Sequence, residues 1–136
     1  MRPSEQDALR ELIRQWTCKA EQDILAAESL LAGELPLPYP VCFHSQQAAE
    51  KYLKAFLTLH QIEFPKTHSI RELLDLVRNR SPHLADDLAG AVSLTPYGVD
   101  VRYPGDIPEP TRSQAEEAVG LARKVRAAVL RAMPSA

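Results

Sequence analysis

Apolar residues recur along the chain at steps of three and four, with little sign of the alternation that marks a strand. In the first segment, roughly residues 4–32, Leu9, Leu12, Ile13, Trp16, Ala20, Ile24, Ala27, Leu30 and Leu31 fall on one stripe, as in an amphipathic helix. Gly33 stops it, and Pro36-Leu37-Pro38-Tyr39-Pro40 reads as a stiff connector, because each proline lacks an amide donor and restricts its predecessor. A second helix follows over about 41–62, with Cys42, Ser45, Ala48, Ala49, Tyr52, Leu53, Ala55, Phe56 and Leu59 on the core side. His44, Gln47, Lys51, Lys54 and Thr58 gather opposite, and Gln46 and Glu50 sit on the border. Pro65 closes this element. Ser69 with Glu72 three residues on forms a capping box for a third helix, whose core face is Ile70, Leu73, Leu74 and Val77.

A short fourth helix begins at Ser81 with Pro82 in its first position and ends before Pro96. Residues 95–110 hold four prolines and two glycines, so the spacing predicts a long irregular loop, a feature more often functional than idle. The last helix, about 111–132, opens on Thr111 and Gln114, carries Glu116 and Glu117 near its start and basic residues near its end, and buries Ala115, Ala118, Val119, Ala122, Val125 and Val129. The pattern therefore predicts an all-α single domain over residues 1–136, an up-and-down antiparallel helical bundle of four main helices plus a short fifth helix.

Composition adds limits. The chain of 136 residues is 45% hydrophobic and 25% charged, and a formal charge of −2 gives no footprint for non-specific DNA binding. Neither a signal peptide nor a membrane span is expected, which points to a cytoplasmic protein. Cys18 and Cys42 are expected as reduced core residues. His44 and His60 lie sixteen residues apart on one helix, about 24 Å at 1.5 Å per residue, so they cannot share a metal. No metal and no cofactor are expected.

"FHSQQAAEKYLKAFL", then "KTHSIRELL", then "VRYP" resemble the HEPN domain, the higher-eukaryote and prokaryote nucleotide-binding fold, in its branch with an Arg-Tyr-Pro signature. The similarity runs from the Ala20, Asp23, Ile24 and Ala27 pattern to Arg102-Tyr103-Pro104. It implies a helical bundle, usually a homodimer, often encoded beside a minimal nucleotidyltransferase in a toxin-antitoxin or defence pair. Many relatives are metal-independent ribonucleases that use an Arg and a His four to six residues apart. Here no histidine follows Arg102, and the one pair at that spacing, Arg78 and His83, straddles the break at Ser81-Pro82. Arginine alone is a poor proton carrier, because its pKa is too high. No catalytic residue is therefore assigned.

The candidate contacts for a nucleotide or phosphate are Lys51, Lys54, His68, Arg102 and Tyr103. Each has a plain alternative. Lysines on a polar helix face are commonly solvated, and His68 precedes a helix start, where it can bond the loop or meet an anion. Arg102 serves equally to lock its loop to Glu50 or Asp23 or to bind a phosphate. The resulting reading is a nucleotide-binding or interaction module with a nucleotidyltransferase partner. Its alternatives are a ribonuclease with an atypical centre at Arg102 and a non-catalytic dimerisation subunit. Phe43, Leu57 and Ile62 fall outside the main core side of the second helix, and are expected to form the apolar patch that a homodimer buries.

Overall fold

The computed structural model describes residues 1–98 and 103–134. Helix α1 spans Pro3–Ala32, α2 Pro38–Leu59, α3 Ile70–Arg80, α4 Pro82–Asp87 and α5 Arg112–Ala132, and a 3-10 segment over Ala89–Gly98 follows α4. No strand occurs among the described residues, so the class is all-α. Helix α2 is the centre of the bundle. It packs on α1, α5, α3 and the 3-10 segment, and fourteen of its residues are buried. Ion pairs fix the direction of its neighbours: Glu28 meets Arg123 and Glu21 meets Arg126, so α5 runs antiparallel to α1.

Two prolines predicted to lie in the connector belong instead to α2, which begins at Pro38 and includes Pro40. The first turn of a helix has amides without intrahelical partners, so prolines there lose no bond. Pro96 is likewise inside the 3-10 segment, which extends the fourth element through residues read as loop. The two sequence-recognised caps are present. Ser69 Oγ accepts from the Glu72 amide at 3.2 Å, but the Ser69 amide donates to Thr67 Oγ1, so the capping box expected there is only half formed, whereas Thr111 and Gln114 form a reciprocal one.

The core joins Ala20, Ile24 and Ala27 of α1 to most of α2, the inner faces of α3 and α5, and Leu88, Ala91 and Leu94. Its α1 and α5 contributions are rich in alanine, which lets these helices approach α2 closely. Three expectations are corrected here. Cys18 is exposed, whereas Cys42 is buried as expected. Leu12 is 45% exposed, because the N-terminal half of α1 runs beyond its neighbours. Leu57 is fully buried, so the patch expected around Phe43, Leu57 and Ile62 loses its middle member. Among the described residues, no helix is long and apolar enough to cross a membrane.

Candidate functional site

The polar residues of α2 diverge into two groups, because the three steps from Lys51 to Lys54 turn the helix about 300°, leaving them about 60° apart. Lys51 reaches α1, where its Nζ lies 2.5 Å from Asp23 Oδ2, and His44 Nδ1 contacts the other oxygen of Asp23 at 2.9 Å. Lys54 turns the other way. Its Nζ donates to Glu50 Oε2 at 2.9 Å and lies 5.5 and 5.8 Å from the ring centroids of Trp16 and Phe64, within cation-π range. The Lys54 and Glu50 side chains are only 8% and 4% exposed, so the expectation of a solvated Lys54 is corrected. The i, i+4 pairing itself is as the spacing indicates.

Glu50 is the hub of this second group. Its Oε1 accepts from Gln46 Nε2 at 3.2 Å and contacts His68 Nδ1 at 3.0 Å. An ionised carboxylate only accepts, which requires His68 to carry its proton on Nδ1. Gln46 is fully buried and also donates to the His68 carbonyl at 2.9 Å, while its Oε1 accepts from Gln47 Nε2 at 2.7 Å. One glutamine therefore ties α2 to the loop before α3. With three donors on it and Trp16 and Phe64 closing over Lys54, the buried charge pair has the additional hydrogen bonds that make such pairs tolerable. Gly98 completes the enclosure. A Cβ built there would sit 2.6 Å from Gln46 Nε2, so only a glycine allows this approach.

The N-terminal end of α3, which could offer amides to an anion, is largely satisfied internally. Ser69 N donates to Thr67 Oγ1, Ile70 N to Thr95 Oγ1, and Glu72 N to Ser69 Oγ. Tyr103 is 72% exposed on a turn in which its amide donates to Asp106 Oδ2 at 3.0 Å and Gly105 adopts φ +92°. Arg102 and Asp100 lie outside the described residues; Gly98, four residues before Arg102 in the sequence, rests on Gln46. Of the candidates, the structure thus brings Lys54 and His68 together on Glu50, directs Lys51 to Asp23, and leaves the Tyr103 ring open.

Arg78 and His83 do not converge. Arg78 pairs with Asp86 at 2.7 Å, while His83 is 92% exposed. His60 accepts from Arg80 Nε at 3.1 Å, and burial followed by the Arg80 charge pushes its pKa below the ordinary histidine value. A third cluster went unnoticed in the sequence: Tyr52 Oη and Arg126 Nε both donate to Glu21, joining α1, α2 and α5. Burial raises the Glu21 pKa, but the bonds from Arg126 and Tyr52 outweigh it and hold the carboxyl below its usual range. Burial, and then the bond to Glu21, raise the Tyr52 hydroxyl well above its normal value.

The family model of the HEPN domain matches residues 13–132, a span that contains α2, both carboxylate hubs and Gly98. The chain belongs to the HEPN family. Two solved structures share its HEPN-type fold. One is TT1696 from Thermus thermophilus, 32% identical, with 89% of this chain and 98% of that one covered and a TM-score of 0.69. The other, ST0689, is an archaeal HEPN homologue, 27% identical, with 88% and 95% covered and a TM-score of 0.68. No curated protein is a significant match to the chain. Gln46, Glu50, Lys54 and Gly98 lie within the matched HEPN span, and in this protein they form one buried network.

Proposed function

We propose that this HEPN protein is a binding and interaction module that takes a phosphate-bearing ligand, a nucleotide, beside the α2 stripe, and works as a homodimer with a minimal nucleotidyltransferase. The observation that carries this reading is the ratio of groups in the stripe. Lys51, His44, Lys54 and His68 converge on only two carboxylates, Asp23 and Glu50. Two lysines and two imidazoles thus share two carboxylates, so donors outnumber their acidic partners two to one, an imbalance that an incoming phosphate would redress. In this reading the ligand contacts are Lys51, the half-exposed His68 and Tyr103, with Arg102 assigned from the sequence alone, and Lys54 supports them from within by fixing Glu50. The partner assignment follows from family membership, since HEPN domains are often encoded next to nucleotidyltransferases.

A specific observation favours a second reading, a non-catalytic structural subunit: Lys54, Gln46 and the first α3 amides already have internal partners. Titration with inorganic phosphate and ATP separates the two. Binding that weakens in Lys51→Ala and Arg102→Ala supports the module, and no binding at millimolar ligand supports the structural subunit. RNA cleavage by purified protein, lost in Arg102→Ala, would replace both with the ribonuclease alternative.

A further inference from the structure

The two carboxylate hubs that face α2's basic groups differ in how far they are closed off. The Glu50 side chain is 4% exposed, tied to Gln46 and shut in with Lys54 beside Trp16 and Phe64. Asp23 of α1 is 13% exposed, and its partners are more open still, Lys51 at 21% and His44 at 32%. Both Asp23 oxygens are taken: Oδ1 meets His44 Nδ1 at 2.9 Å, and Oδ2 meets Lys51 Nζ at 2.5 Å. Among the described residues neither oxygen has another side-chain partner. His44 and Lys51 lie seven residues apart on α2, about 10 Å along its axis, and the one carboxylate bridges them. The Lys51 ammonium keeps two further N–H groups, and the His44 ring keeps its Nε2. Asp23 is thus bound as an anion would be, through two oxygens by two basic side chains of one helix, in a place that solvent reaches.

We propose that Asp23 is an internal competitor for the phosphate subsite, held on Lys51 and His44 until a ligand displaces it, and that it makes the site select terminal phosphate monoesters over the phosphodiesters of a nucleic-acid backbone. The inference rests on the phosphate-binding reading above and names its ligand class and the residue that sets it. Asp23 is tethered, so it competes at the effective concentration of an intramolecular group, on the order of millimolar or higher. A phosphodiester carries a single negative charge. Exchanging the carboxylate for it swaps one unit of charge for another and gains nothing against the tether. A phosphate monoester carries about −1.5 to −2 near pH 7 and presents three terminal oxygens. It attracts the same two basic groups more strongly and has oxygens left for the spare Lys51 N–H groups. A plain tether between α1 and α2 has a different signature: removing its charge would leave ligand binding unchanged or weaken it, whereas removing a competitor tightens binding.

Isothermal titration of the full chain at about pH 7.5 with AMP and with adenylyl-adenosine, which offer the same nucleoside beside a terminal and an internal phosphate, tests this. Wild type is expected to bind AMP roughly tenfold more tightly than the dinucleotide. Asp23→Asn and Asp23→Ser, each checked for an unchanged helical spectrum, are expected to bind both compounds more tightly, the dinucleotide by the larger factor, so that the preference narrows. Equal binding of the two compounds by wild type, or AMP binding that is weakened or unchanged in the variants, overturns the competitor and leaves Asp23 a tether between helices. No binding of either compound by wild type or variant overturns the phosphate-binding reading along with it.

Discussion

Replacing Gly98 by alanine adds one methyl group at the point where the 3-10 segment meets the α2 network. The new Cβ would lie 2.6 Å from Gln46 Nε2 and 2.8 Å from Gln46 Cδ. Neither side can easily yield: Gln46 is fully buried and held by Glu50, His68 and Gln47. Overpacking a tight interior costs about 1–3 kcal/mol, and a hydrogen bond to a charged group is worth about 1.5–3 kcal/mol. Those costs overlap, since moving Gln46 relieves the first by incurring the second, so Gly98→Ala should destabilise by about 2–4 kcal/mol. For a domain of this size that is a fall in Tm of roughly 6–15 °C. Gly120→Ala supplies the control. A Cβ at Gly120, within α5, meets nothing within 4 Å, so the same substitution should there stabilise by about 1 kcal/mol. Urea unfolding of both variants, repeated in a Gln46→Ala background, measures the coupling. Gly98→Ala should cost little once Gln46 is gone. A cost unchanged by Gln46→Ala would refute the contact as the cause.

Two further outcomes follow from the other clusters. Lys54→Met should strand the Glu50 carboxylate and lower the unfolding free energy by about 3–5 kcal/mol, and adding Glu50→Gln should recover part of it; a double variant as unstable as the sum of the singles would show that the two groups are uncoupled. The Glu21 pKa is below its unfolded value near 4.5, so its contribution is fully present above that pH and is lost as pH falls through the folded value. Thermal melts from pH 7 to 3 should therefore show a shallower acid decline for Glu21→Gln than for wild type, and parallel declines would contradict the assignment.

Most of the fold is legible in local pattern, because helix periodicity, the Ser69 and Thr111 caps and Gly33 act within a few residues of themselves. Errors arise where a distant neighbour decides. Leu12 has the right periodicity but lies beyond its partners, and Leu57 is covered by elements that a helical wheel of α2 does not contain. The prolines at the start of α2 mislead because a rule for helix interiors does not hold for first turns. At the candidate site the Glu50 and Lys54 pair is visible in its spacing, as is the resemblance that carries the family. What the spacing does not tell is that this pair is buried. That depends on Trp16, Phe64, His68 and Gly98, which lie between 34 residues before Glu50 and 48 after it in sequence. Glu21 is an ordinary acidic residue until α1 is placed against α2, and Asp23, read from the sequence as a partner for Arg102, is seen only then to hold Lys51 and His44.

If the positive groups along α2 answer an anionic ligand, that ligand must bind saturably and depend on them. Isothermal titration of the protein with ATP and with inorganic phosphate at pH 6.5 tests it most directly, alongside Lys51→Ala and Arg102→Ala. Wild type is expected to bind saturably, and each variant roughly tenfold to a hundredfold more weakly with its folded spectrum retained. No heat of binding at millimolar ligand, or binding unaffected by both substitutions, would contradict it.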